Sequence, residues 1–208
     1  MLRRLLASIK DSRGVVALEF ALIVPMMVLI LIGIYQISQV VRVTMKLSNV
    51  AVAVADLIAQ QDSVTGGVTG SLGNFCKAAQ LMMAPFPTGA ATGPFSLSIA
   101  SVTNYSNNTV SNVKVDWTVN AACTTTATGT SALGSSATTL VTSPVNLVPN
   151  TGPSGTTNIA GDTVIIVQAN YKYSSLVQYL APALVSQSRV GFARPRGNSV
   201  VACTAACL

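Results

Sequence analysis

Few side chains in this 208-residue chain could do chemistry: six Asp/Glu, four Cys and no His. Histidine is the side chain that titrates near neutrality and the commonest metal ligand. Its absence removes the commonest general base and the commonest zinc ligand. Among the carboxylates only Asp56 and Asp62 lie near each other, and their spacing is loose. The thiols are Cys76, Cys123, Cys203 and Cys207. They form no CxxC pair, and three residues separate Cys203 from Cys207 where thioredoxin-like exchange wants two. The expected catalytic, cofactor-binding and metal sites are therefore none, and the chain is expected not to be an enzyme. An even number of cysteines, all in the later part of the chain, fits structural disulfides in an oxidising compartment. Three connectivities are open, of which Cys76–Cys123 with Cys203–Cys207 is preferred.

One carboxylate stands apart. Glu19 is the single charge in the 21 residues from Val15 to Tyr35, VVALEFALIVPMMVLILIGIY. A helix of about 20 apolar residues crosses the ~30 Å hydrocarbon core of a bilayer. An acid at the centre of such a helix costs about 2.5–3.5 kcal/mol, so its presence argues for a function. The competing reading is an interfacial acid that snorkels toward water. Pro25 in the same run reads as a tolerated kink.

Composition agrees with a membrane segment. Half the residues are apolar and 9% are charged, against roughly 25% charged in soluble domains. The net charge of +6 is unevenly placed, with Arg3, Arg4, Lys10 and Arg13 opposed only by Asp11 in the leader. That cluster puts the N-terminus in the cytoplasm and everything beyond about residue 41 outside, despite Arg42 and Lys46 on the far side. No basic patch interleaved with aromatics follows, so nucleic acid is not an expected partner. A cleaved secretory signal would have an apolar stretch of about 7–15 residues and a prompt small-x-small site. Here the run is longer and the first candidates, Ala51–Ala53 and Ala53–Ala55, lie far downstream. The run is read as an anchor.

Taken together, Arg13-Gly14-Val15-Val16-Ala17-Leu18-Glu19 resembles the processing site of type IV prepilins: a basic leader, a glycine, and a glutamate opening an apolar helix. The resemblance implies that a prepilin peptidase cuts between Gly14 and Val15, and that Glu19 serves assembly. The longer stretch RGVVALEFALIVPMMVLILIGIYQISQVV resembles the N-terminal domain of TadE-like proteins, minor pilins or pseudopilins of the tight-adherence (Flp) pilus system. Four later segments also resemble that family: DLIAQQ at 56–61, MMAPFP at 82–87, VIIVQANYKY at 164–173 and FARPR at 192–196. This implies a non-catalytic minor pilin that takes part in pilus assembly. It would cross the bacterial inner membrane once, with a periplasmic C-terminal domain, or enter the pilus. Its partners would be other pilins and the pilus assembly platform, with no small-molecule substrate. Two alternatives are a membrane-anchored periplasmic or surface adhesin or sensor, and a type II secretion pseudopilin.

The elements that position these residues are expected to be three. Residues 1–14 form the leader, 15–61 a transmembrane helix extended outside the membrane, and 62–208 an α+β domain of pilin-like class. Val40, Val43, Leu47, Val50, Val54 and Leu57 recur at alternating spacings of three and four, the seam of a helix that packs on a partner. Asp62–Gly73, with Gly66, Gly67 and Gly70, reads as a linker or turn. Asn74–Ala84 reads as a helix stopped by Pro85. Alternation over Phe95–Val102 and Val110–Val119 predicts a hairpin joined by Asn104–Asn108, with Trp117 on its apolar face. Residues 121–161, rich in Thr, Gly and Ser, read as an exposed insertion. Val164–Tyr173 predicts a strand buried on both faces, Leu176–Leu184 a helical turn, and Gln187–Phe192 a last strand. The leader charge yields a test of orientation: a phosphatase fused after Leu208 is expected to be active and a fluorescent protein there dark. The reverse pattern refutes the topology.

Overall fold

The computed structural model describes residues 12–67, 69–89, 94–104, 113–119, 163–173, 186–197, 200–205 and 207. Residues 1–11 of the leader, Cys123, the 121–161 insertion, the chain at 105–108 and the turn expected at Leu176–Leu184 lie outside them. The chain divides into two compact units, Met1–Val41 and Arg42–Leu208. Helix α1 runs over Ser12–Ala59 with Pro25 inside it.

The second unit is built on the last turns of α1. Val43, Leu47, Val50, Ala51, Val54, Ala55, Ile58 and Ala59 are buried there, an i, i+3/i+4 stripe facing one core. Burying a side chain such as Leu47 or Ile58 is worth about 1.5–3 kcal/mol. The expected seam is corrected at its end, because Ile58 is buried and Leu57 is 36% exposed. A straight helix has 3.6 residues per turn, so a strict seven-residue repeat drifts off the buried face.

A four-stranded antiparallel sheet packs on that stripe, as expected for an α+β fold. Its strands are β2 (Phe95–Asn104), β3 (Val113–Val119), β4 (Thr163–Lys172) and β5 (Ser186–Ala193), in the order β3-β2-β4-β5. Strand β4 lies between β2 and β5 and hides both its faces. Ile165, Val167, Ala169 and Tyr171 join Leu97, Ile99, Trp117 and Val119 in the core that includes α1. Val164 and Ile166 join Ala100, Val102 and Val115 in a second cluster. The β2–β3 register shifts between Ser101 and Val102, a bulge that no alternation pattern announces. Trp117 lies in the core and its Nε1–H donates to the Val201 carbonyl at 2.8 Å, so its polar atom is satisfied.

Two sequence expectations need correction. Asp62–Gly73 is not a linker. It contains strand β1 (Ser63–Thr65), and the second helix, α2, starts at Ser71 and ends at Met82. The stretch is pinned reciprocally: the Thr65 N–H donates to Ser71 Oγ at 2.8 Å, and the Ser71 N–H to Thr65 Oγ1 at 2.9 Å. Gly70 is required by close approach, since a Cβ there would overlap the Gly66 and Thr65 carbonyls. The second correction concerns the last strand, which is not Gln187–Phe192. Strand β6 (Ala202–Ala205) follows and pairs in parallel with β1. Thr204 Oγ1–H reaches the Val64 carbonyl at 3.3 Å.

At β5 the sheet touches α1 backbone to backbone. A Cβ at Gly191 would overlap the Ala51 carbonyl group and the Val52 nitrogen. Gly191→Ala is therefore expected to destabilise the second unit by at least about 1–3 kcal/mol, the usual cost of overpacking. Gly33→Ala, where nothing lies within 4 Å, should not. Urea unfolding in detergent followed by Trp117 fluorescence measures both, and equal midpoints would refute the contact.

Candidate anchoring and assembly site

From Val15 to Tyr35 every residue of α1 is exposed except Val24, which is partly covered. A helix apolar on all sides needs an apolar environment all round it. By length and composition α1 can cross a membrane once. Glu19 is exposed on this helix, one turn after Val15, and Gly14 is also helical. Residues i and i+4 share a helix face, so position 15 and Glu19 are neighbours.

In the second unit the four segments singled out in the sequence meet in two pairs. The first pair joins DLIAQQ to FARPR at the end of α1. The Arg196 N–H donates to the Ala59 carbonyl at 2.9 Å, and its guanidinium reaches Asp56 Oδ1 at 3.5 Å. The ion pair is exposed and worth about 0–1 kcal/mol. The backbone bond matters more, because it satisfies one of the orphan carbonyls at the helix end. Asp56 thus faces an arginine and forms no carboxylate pair with Asp62.

The second pair joins MMAPFP to the end of VIIVQANYKY. The Tyr171 hydroxyl donates to the Pro87 carbonyl at 3.1 Å, and the Phe86 ring meets Tyr171 edge-on at 6.4 Å. Lys46 on α1 donates to the Ala84 carbonyl just past α2, where a cation favours the negative end of the helix dipole. Thr44 Oγ1–H reaches Gln187 Oε1 at 3.4 Å on β5.

The cysteines fall into place separately. Cys203 and Cys207 are bonded to each other. Cys76 is buried on α2 and is itself disulfide-bonded, while Cys123 lies outside the described residues. Among the described residues no three His, Cys, Asp or Glu side chains converge as a metal site would require.

Sequence reasoning missed one polar cluster at the far end of β2 and β4. Asp116 accepts from Thr103 Oγ1, and from Ser101 Oγ at 3.3 Å. With its own proton given to Asp116, Thr103 Oγ1 accepts from Thr163 Oγ1–H at 2.7 Å. These residues lie far apart in the chain, and only the strand register and the bulge bring them together. No spacing rule could have found them.

Burial raises the Tyr171 pKa above its ordinary value near 10, and Tyr173 adds to the rise. The unfolded chain gives up this proton first. The stability tied to it is therefore whole below about pH 10 and is lost as pH rises toward the folded-state value. Urea midpoints are expected to hold to about pH 9 and then fall. Tyr171→Phe should cost about 1 kcal/mol at pH 8 through the lost hydrogen bond and should flatten the alkaline fall. Parallel alkaline slopes would assign the fall to another group.

Residues 14–56 match the protein family described as TadE-like protein. No curated protein and no solved structure gives a significant match to the chain. The match covers the apolar run, Glu19 and most of the stripe that α1 contributes to the core. The N-terminal helix of this chain is therefore similar to that of TadE-like proteins, a family of the tight-adherence pilus system.

Proposed function

We propose that this protein is a non-catalytic minor pilin, or pseudopilin, that takes part in assembling a tight-adherence pilus. In this reading it lies in the bacterial inner membrane with its second unit in the periplasm. A prepilin peptidase removes the leader between Gly14 and Val15, and other pilins and the assembly platform are its partners. The observation that carries the reading is Glu19, exposed and the one charged residue of the apolar run Val15–Tyr35, one turn from Val15. After the cut Val15 would carry a new α-amino group, with a reference pKa of about 7.7–8.0. Either charge alone is costly in a bilayer, whereas an ammonium and a carboxylate offset each other's desolvation. Pairing between one chain's Glu19 and a neighbour's N-terminus would fix the stagger of packed helices, as buried polar pairs fix register.

The test separates cutting from assembly. Gly14→Val is expected to leave the leader attached, seen by intact mass. Glu19→Gln keeps the shape and removes the charge. It is expected to be inserted and cut, yet to co-purify with its pilin partners at least about a hundredfold less, since breaking a buried pair costs about 3–5 kcal/mol. Deleting the gene should abolish surface pili while the major pilin persists in membranes. Normal co-purification and normal pili in the Glu19→Gln strain would leave Glu19 an interfacial acid.

A further inference from the structure

The segment that carries β6 is held to the second unit as a strap. Val201 is buried in the core, and its carbonyl accepts from Trp117 Nε1–H at 2.8 Å. Beside β1, the Ala202 N–H donates to the Asp62 carbonyl at 3.2 Å and the Gly66 N–H to the Ala205 carbonyl at 2.7 Å. Thr204 Oγ1–H adds its contact to the Val64 carbonyl. Among the described residues β1 pairs with β6 alone. Whatever releases the strap therefore unpairs β1 and takes the acceptor away from Trp117.

This ladder is a weak clamp by itself. It joins three residues to four, and its register shifts between Val64 and Thr65. A net hydrogen bond is worth about what ordering a residue costs, so short ladders of this kind open first. The Cys203–Cys207 bridge spans the strap at this point. It closes a ring of residues 203–207, so the strap gains less entropy on opening. Both cysteines pack against the core while staying only partly buried. A small thiol can therefore reach them, whereas Cys76, which belongs to another disulfide, is buried on α2.

We infer that the Cys203–Cys207 disulfide is a redox latch on β6: a dithiol reductant opens it, β6 leaves β1, and re-oxidation closes it. In the opening step a thiolate of the dithiol attacks one sulfur and the Cys203–Cys207 bond breaks. A mixed disulfide forms and one cysteine leaves as thiolate. The second thiol of the reductant then closes its own disulfide and expels the other cysteine. Two electrons pass from the dithiol to the bridge, and its two protons end on the two cysteine sulfurs. With the ring gone, the open strap gains about thirtyfold in population, the chain-entropy value for so short a ring. The latch ties the oxidation state of Cys203 and Cys207 to the segment that directly follows α1. It concerns the second unit alone and does not rest on the reading of Glu19 or of the membrane span.

The test uses the full-length protein in detergent, with Trp117 as its single tryptophan. It is titrated with dithiothreitol, and the freed thiols are alkylated and mapped by mass. Hydrogen exchange of segments 61–67 and 163–172 and acrylamide quenching of Trp117 are read in each state. Expected are alkylation of Cys203 and Cys207, exchange about thirtyfold faster over residues 63–66, and stronger quenching of Trp117. Protection of β4 should not change, and diamide added before alkylation should restore the starting state. Cys203→Ala with Cys207→Ala leaves Cys76 in place and should match the reduced state without any reductant. Unchanged exchange over residues 63–66 in that double variant would overturn the latch. So would a loss of β4 protection in the double variant, which would make the bridge a staple of the whole unit. A bridge that dithiothreitol opens only when the unit is unfolded by urea would overturn it as well.

Discussion

The missing side chain at Gly191 lets the β5 backbone lie against the α1 backbone at Ala51, and much of the second unit follows from that approach. Ala51, Ala55 and Ala59 repeat every fourth residue and give α1 a low ridge on its buried face. With small side chains on both partners, the sheet can come close enough for the larger ones to interlock. Leu47, Val50, Val54 and Ile58 from the helix meet Leu97, Ile99, Ile165 and Val167 from β2 and β4. A wider separation would open voids along this contact, and each void forfeits dispersion contacts.

Around this contact the chain fastens its loose ends with hydrogen bonds more than with ion pairs. Arg196 satisfies a carbonyl at the end of α1, Tyr171 holds the segment after α2, and Trp117 holds Val201 ahead of β6. Each is a single donor meeting a carbonyl that the regular ladders leave unpaired. The segments involved are largely those that had looked distinctive in the sequence. Their distinctiveness has a physical basis, because they are the contacts between elements.

The helix and the strands were legible in the sequence because their patterns are local. An apolar run of 21 residues, a stripe at helical spacing and the VIIV core of β4 each announce themselves within a short window. Glu19 was legible for the opposite reason, as a charge where none belongs. Pairing was not legible. Strands β1 and β6 are three and four residues long, too short for any alternation to rise above background. Their parallel match joins Ser63 to Ala202 across most of the chain. The start of α2 was hidden by Gly73, whose low helix propensity argued for a later start, while burial decided otherwise. The cluster around Asp116 needed both register and bulge, neither of which composition encodes.

The β1–β6 ladder has a consequence for the order of events. Ser63 through Thr65 come directly after α1, yet their strand partner is residues 202–205. A chain made from its N-terminal end therefore presents β1 long before anything can pair with it. Trp117 waits in the same way for Val201. Contacts of such long sequence separation form late and slowly. The second unit stays incomplete while its C-terminal segment is still missing. It closes only when its last strand arrives, and the Cys203–Cys207 bridge then lies within the segment that completes it.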